Sequence, residues 1–161
     1  MQIYQNFLTN EDKQYIQDKI NQPIWKFGHS SINGEHRFWQ ASLLEFDAFF
    51  NPHLINKIQE LTGDKLAIER IYFNGHTAGS GGSLHKDSEL DIGRTFLIYC
   101  NEEWSPEWGG DTLFMDENKT IVHPEPYSAV YFQNNIEHCA MPVSGNFKGL
   151  RVTCAFKLVK I

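Results

Sequence analysis

His85 and Asp87 place an imidazole and a carboxylate two positions apart, behind the glycine-rich run "HTAGSGGS" and ahead of further acid in "SELD". In extended chain alternate side chains share a face, so these two project to one side and Lys86, expected to carry no chemistry, to the other. Two donors do not hold a catalytic metal. His138, in "NNIEHCAMPVSG", is the candidate third because it opens another expected strand. Two histidines and one carboxylate occupy one face of an octahedron and leave three positions for substrates, a donor set suited to non-haem Fe(II). An isolated HxD also occurs in ordinary solvated loops, and that reading stands beside the metal one. Further on, Arg151 and Thr153 share a strand face in "GLRVTCAFKLV", where a buried guanidinium suits bidentate pairing with a carboxylate.

The elements that must position these residues are readable from pattern. Thr9 as N-cap, Asp12 three residues on, and Tyr15, Ile16 and Ile20 at helical spacing predict a helix over roughly 10 to 21. Asn51 as cap, Pro52 at the first helical position, the stripe Leu54, Ile55, Ile58 and Leu61, and Gly63 as terminator predict a second. "IWKFGHSSINGEHRFWQASLL" between them reads as strands broken at "NGEH". After Gly63 seven short apolar runs follow: "LAIERIYF", "RTFLIYC", "DTLFM", "KTIVH", "SAVYF", "EHCAMPV" and "GLRVTCAFKLV". Strands so spaced, with no helices between them, predict an antiparallel sandwich or jelly roll enclosing a cavity, with the two helices packed on one sheet.

A chain of 161 residues fits one domain, and 41% apolar with 14% aromatic residues is the composition of a folded globule. No stretch of about 18 apolar residues and no signal-like N-terminus is present, so the expectation is a soluble, cytoplasmic protein without a membrane partner. Three cysteines without CxxC spacing favour neither a disulfide framework nor a cysteine zinc site. A net charge of −6 disfavours a nonspecific grip on nucleic acid.

From Leu66 to Ile161 the chain resembles the 2-oxoglutarate and Fe(II)-dependent oxygenase superfamily, most closely its prolyl 4-hydroxylase-like branch. The resemblance rests on "IYFNG", "HKD", "GRTFLIYCNEEW", "WGGDTLF", "IVHPEPYSAVYF", "EHCAMPV" and "GLRVTCAF", all in family order. It implies a single oxygenase domain over 1–161, mainly β with some α: N-terminal support at 1–64 and a double-stranded β-helix, or jelly roll, at 65–161. It implies His85, Asp87 and His138 as iron ligands, and Arg151 as the partner of the 2-oxoglutarate C5 carboxylate. By the same resemblance Tyr99 is a second contact to that carboxylate, Tyr72 reaches the co-substrate near the metal, and Thr153 completes an "RxT" arrangement. Lys148 competes with Arg151 for the carboxylate, but it sits in the turn-like "SGNFKG" whereas Arg151 opens an unbroken strand.

The implied cofactors are Fe(II), 2-oxoglutarate and O2, with ascorbate compatible. The implied reaction is C–H hydroxylation coupled to release of succinate and CO2, on a prolyl or other amino-acid residue of a peptide or protein. A free amino acid or other small metabolite is the alternative substrate, and a cupin-like or carbohydrate-binding module is the alternative class; a cupin would usually present HxH and a downstream Glu. Among the remaining residues, His76 reads as a solvent-exposed loop histidine, with substrate contact the alternative; Trp104 and Trp108 read as structural caps over the barrel, with a substrate wall the alternative; and Trp39 and Arg37 are candidates for a substrate groove, with a core position the alternative. His29, His36, His53 and His123 have no partner at ligand spacing.

Overall fold

The computed structural model describes residues 1–161. Its larger sheet holds seven antiparallel strands: β1 (Gln2–Tyr4), β2 (Lys26–His29), β3 (Phe38–Ala41), β4 (Leu66–His76), β5 (Gly93–Tyr99), β8 (Ala129–Gln133) and β10 (Arg151–Lys160). They are ordered β1-β8-β5-β10-β4-β3-β2. The smaller sheet sets β6 (Thr112–Phe114) between β7 (Ile121–Val122) and β9 (His138–Ala140). Single bridges from His85 to His138 and from Gly109 to Val143 extend it. The two sheets face each other as a jelly roll, and all seven runs expected after Gly63 are strands. Strand β1 at the extreme N-terminus carries no such signal in the sequence.

Strand alternation explains both faces of the larger sheet. Ile71, Phe73, Phe96, Ile98, Cys154 and Phe156 point outward and are buried in the main core against Ile16, Leu54, Ile55 and Ile58. Their neighbours Tyr72, Asn74, Thr95, Leu97, Thr153 and Ala155 point inward and line a cavity between the sheets. One strand thus anchors the helices with odd positions and furnishes the cavity with even ones, or the reverse.

The helices follow their sequence signals with one difference. Helix α1 (Asn10–Ile20) opens on the expected capping box: the Asp12 N–H donates to Thr9 Oγ1 at 3.1 Å and the Thr9 N–H to Asp12 Oδ2 at 3.0 Å. Helix α2 (Ile55–Thr62) ends at Gly63, whose φ of 71° is the left-handed cap that glycine permits. Its regular part starts later than expected, because Phe49–Leu54 forms a wide turn in which Asn51 is extended. There Asn51 caps nothing and its side chain donates instead to Glu45 O at 3.2 Å. Buried Phe50 and Leu54 hold that turn on the core, while Leu61, expected in the buried stripe, is 36% exposed.

Candidate functional site

The HKD segment lies in an irregular stretch tied to strand β9, and that tie makes the site. The His85 N–H donates to His138 O at 3.0 Å and the His138 N–H to His85 O at 2.8 Å, so the two imidazoles come from paired backbones. The Asp87 N–H donates to Asn134 O at 2.9 Å, which fixes the third side chain against the loop after β8. His85 Nδ1 lies 2.8 Å from Ser83 O and His138 Nδ1 lies 2.9 Å from Ile136 O. A carbonyl only accepts, so each Nδ1 carries the proton and each Nε2 offers its lone pair inward.

His85 Nε2 and His138 Nε2 stand 3.4 and 3.6 Å from the two Asp87 oxygens, and one donor atom from each residue falls within 4.8 Å of the others. Burial pushes the His138 imidazole down to about 4, so it is neutral at pH 7 and able to donate an electron pair. Burial alone would raise the Asp87 carboxyl; the adjoining His85 ring and the charge and direct contact of Lys157 override it and hold the group well below the usual carboxylate range. Two imidazoles and one carboxylate, converging with the backs of both rings hydrogen-bonded, fit a divalent ion such as Fe(II).

Behind Asp87 stands a residue the motifs did not reveal. Lys157, only 5% exposed, contacts Asp87 Oδ2 and donates to Thr95 Oγ1 at 3.1 Å. Thr95 Oγ1 is also 2.8 Å from that carboxylate oxygen. The signal was present in the strand period: Arg151, Thr153, Ala155 and Lys157 share one face of β10, and all four line the cavity.

The cavity, about 280 Å³, runs between the sheets from the triad to Arg151. Arg151 is 1% exposed; its Nε donates to Gly110 O at 2.6 Å and Nη2 to Thr112 Oγ1 at 3.3 Å. It has no carboxylate partner within the chain, and three of its five N–H donors remain uncommitted. A buried cation in that condition is poised for an anion. Lys148, by contrast, is exposed and does not line the cavity. Gly110 is required here: at φ 71° a Cβ would lie 2.8 Å from Arg151 Cδ, so the second glycine of "WGG" makes room for the guanidinium.

Tyr72 and Thr153 line the cavity. Tyr99 is fully buried and sits one step back: its hydroxyl donates to Thr112 Oγ1 at 2.8 Å, the atom that also receives Arg151, and its ring lies 5.6 Å from the guanidinium carbon. Burial pushes its phenol up to about 12. Trp104 and Trp108 cap that end in a cluster with Phe147, and Trp104 Nε1 donates to Gly109 O at 3.0 Å.

Several sequence readings change. His76 is not a loop histidine in solvent: it ends β4, is 3% exposed and faces the cavity. Phe38 lines the cavity, while its neighbours Arg37 and Trp39 do not, because alternation in β3 turns Trp39 to the opposite face, against Phe27. His29 and Arg70 lie on the cavity wall, whereas His53 and His123 pair with Asp12 and Asp111 elsewhere. Lys86 pairs with Glu89 at 3.1 Å but still borders the mouth.

The family model of the 2OG-Fe(II) oxygenase superfamily matches residues 47–156. No curated protein matches the chain. Among solved structures, a viral collagen prolyl hydroxylase from Paramecium Bursaria Chlorella virus-1, in its 2OG complex, superposes with TM-score 0.71 at 16% identity, covering 99% of this chain and 96% of that one. A Trichoplax adhaerens prolyl hydroxylase in complex with a hypoxia inducible factor oxygen degradation domain peptide gives 0.78 at 16% identity, covering 98% and 82%. HygX from Streptomyces hygroscopicus, with nickel and 2-oxoglutarate bound, gives 0.68 at 12% identity, covering 98% and 81%. Likeness at such identities speaks to the shared jelly-roll fold.

Proposed function

The chain belongs to the 2OG-Fe(II) oxygenase superfamily, a family of dioxygenases using Fe(II), 2-oxoglutarate and O2, and from that premise we propose that it hydroxylates a C–H bond of a prolyl or other amino-acid residue in a peptide. The observation that carries the reading is one cavity with a converging His85, Asp87 and His138 at one end and an unpaired, buried Arg151 at the other.

In this reading His85, Asp87 and His138 hold Fe(II), and Arg151 pairs with the C5 carboxylate of 2-oxoglutarate. Metal and co-substrate supply the oxidising chemistry, in which 2-oxoglutarate is converted to succinate and CO2 as the substrate gains one oxygen. The chain's own contribution is placement. The carbonyls of Ser83 and Ile136 fix the two imidazole tautomers. Lys157 and Thr95 hold the Asp87 carboxylate from behind, and Gly110 and Thr112 aim the guanidinium. Tyr99 orients Thr112, while Tyr72 and Thr153 shape the wall along which the co-substrate lies. Close placement and exclusion of water account for much of what a protein adds to such a reaction.

A peptide substrate is supported by the open side of the cavity, where the exposed edge strand β2 and the following Ser30 and Ser31 border the mouth. An unpaired strand edge offers backbone groups to an extended chain. The prolyl hydroxylase seen with a peptide in the Trichoplax structure supports the same class. The test is mass spectrometry of proline-containing peptides and free amino acids incubated with the Fe(II)-loaded protein, 2-oxoglutarate and air. A gain of one oxygen on a peptide, matched by succinate, is the expected result. A gain confined to free amino acids would replace the peptide reading with a small-metabolite one.

A further inference from the structure

His76 is the one cavity-wall side chain whose polar atoms are both buried and unpartnered: neither Nδ1 nor Nε2 makes a hydrogen bond. A buried donor or acceptor left without a partner is destabilising, because it has given up its hydrogen bonds to water and gained none. The residue is tightly held nonetheless, 3% exposed, with the Phe38 ring packed on it at a centroid distance of 4.6 Å. In the antiparallel pairing of β4 with β10, His76 stands directly opposite Arg151. The two nitrogens are therefore placed at the same end of the cavity as the guanidinium that lacks an anion.

The charge state of the ring follows from its surroundings. Burial first, and then the charge of Arg151, push the His76 imidazole down to about 3, so at neutral pH it has one N–H to donate and one lone pair. A carboxylate against Arg151 presents two oxygens with about four acceptor positions, more than one guanidinium face fills. A neutral ring N–H beside it supplies a further donor without adding charge.

We propose that His76 is a co-substrate-binding residue, whose ring N–H donates to the 2-oxoglutarate carboxylate that pairs with Arg151. This rests on the assignment of that carboxylate to Arg151, and it explains why a histidine is kept in a position with no partner of its own. It also sets a signature that a structural histidine would not give. Replacing the ring by an apolar one of similar shape removes two unmatched polar atoms from the ligand-free protein, but removes a ligand contact from the complex.

The test is His76→Phe, measured by thermal unfolding of the ligand-free protein and by calorimetric titration of the Mn(II)-loaded protein with 2-oxoglutarate and with 2-oxobutyrate, which lacks the C5 carboxylate. The expected result is an unchanged or raised melting temperature, 2-oxoglutarate binding weakened roughly 10- to 100-fold, and 2-oxobutyrate binding unaltered. Equal 2-oxoglutarate affinity in variant and wild type, equal losses for both ligands, or a lowered melting temperature with the lost affinity would each overturn the proposal. If the wild type itself binds 2-oxoglutarate no better than 2-oxobutyrate, the Arg151 assignment fails and this one with it. Should the variant not fold, the imidazole N–H of wild-type His76 is followed by NMR in the Zn(II)-loaded protein. A slowly exchanging proton induced by 2-oxoglutarate but not by 2-oxobutyrate supports the contact, and its absence overturns it.

Discussion

Lys157 and Asp87 are buried against each other beneath the two histidines, 5% exposed at the lysine and in direct contact through Asp87 Oδ2. A buried carboxylate stripped of its cation is costly, and breaking such a pair typically destabilises by about 3–5 kcal/mol. A divalent ion between the imidazoles would supply the missing positive charge. Lys157→Met should therefore lower the melting temperature of the metal-free protein and enlarge the stabilisation that Mn(II) confers, as read by paired unfolding curves. A metal-induced shift no larger than in the wild type would show that Lys157 does not compensate Asp87.

At the opposite end of the cavity the prediction separates two cations. Arg151→Met should weaken 2-oxoglutarate binding about 100-fold, as expected for losing a charge-assisted contact of roughly 2–3 kcal/mol. Lys148→Ala should leave it unchanged, because Lys148 is exposed and outside the cavity. Calorimetry with the Mn(II)-loaded protein measures both.

Gly110 provides an indirect route to the same guanidinium. A Cβ there would stand 2.8 Å from Arg151 Cδ on a backbone at φ 71°, so the arginine must shift. Gly110→Ala should reduce 2-oxoglutarate affinity by about tenfold or more, with the triad's metal affinity retained. Loss of both together would indicate general unfolding of the smaller sheet.

A pH prediction follows from the joint between the helices. Burial alone would raise the Asp12 carboxyl, but hydrogen bonds from Lys57, His53 and the Thr9 backbone override it and hold it at about 2, below the ordinary aspartate value of 3.8. The folded value is the lower one, so its contribution, about 2 kcal/mol, is complete above pH 4 to 5 and lost as pH falls through 4 toward 2. Chemical denaturation of wild type and Asp12→Asn across that range should show a stability difference that narrows on acidification. A difference independent of pH would contradict the assignment.

How much of this was legible in the sequence depended on whether the signal was local. The Thr9 and Asp12 box, the Gly63 cap and the strands after Gly63 are written in neighbouring residues, and each is present. The start of α2 was misread because Asn51 and Pro52 imitate a helix start, while burial of Phe50 and Leu54 draws the chain into a wider turn. His85, Asp87 and His138 were identifiable by type and order, yet their convergence comes from the pairing of a loop with β9, which no spacing rule states. Lys157 carries no motif and His76 reads as a loop histidine, because the meaning of both is positional. Counting by twos along β10 from Arg151, and along β4 from Tyr72, puts both on the cavity face.

The most direct test of the central claim is succinate formation from 2-oxoglutarate, followed in air with added Fe(II), for the wild type and for His85→Ala. Wild-type protein should produce succinate in an Fe(II)- and O2-dependent manner, and the variant, one imidazole short of the triad, should produce none above background. Retention of succinate production by His85→Ala would contradict the claim that His85, Asp87 and His138 form the metal centre.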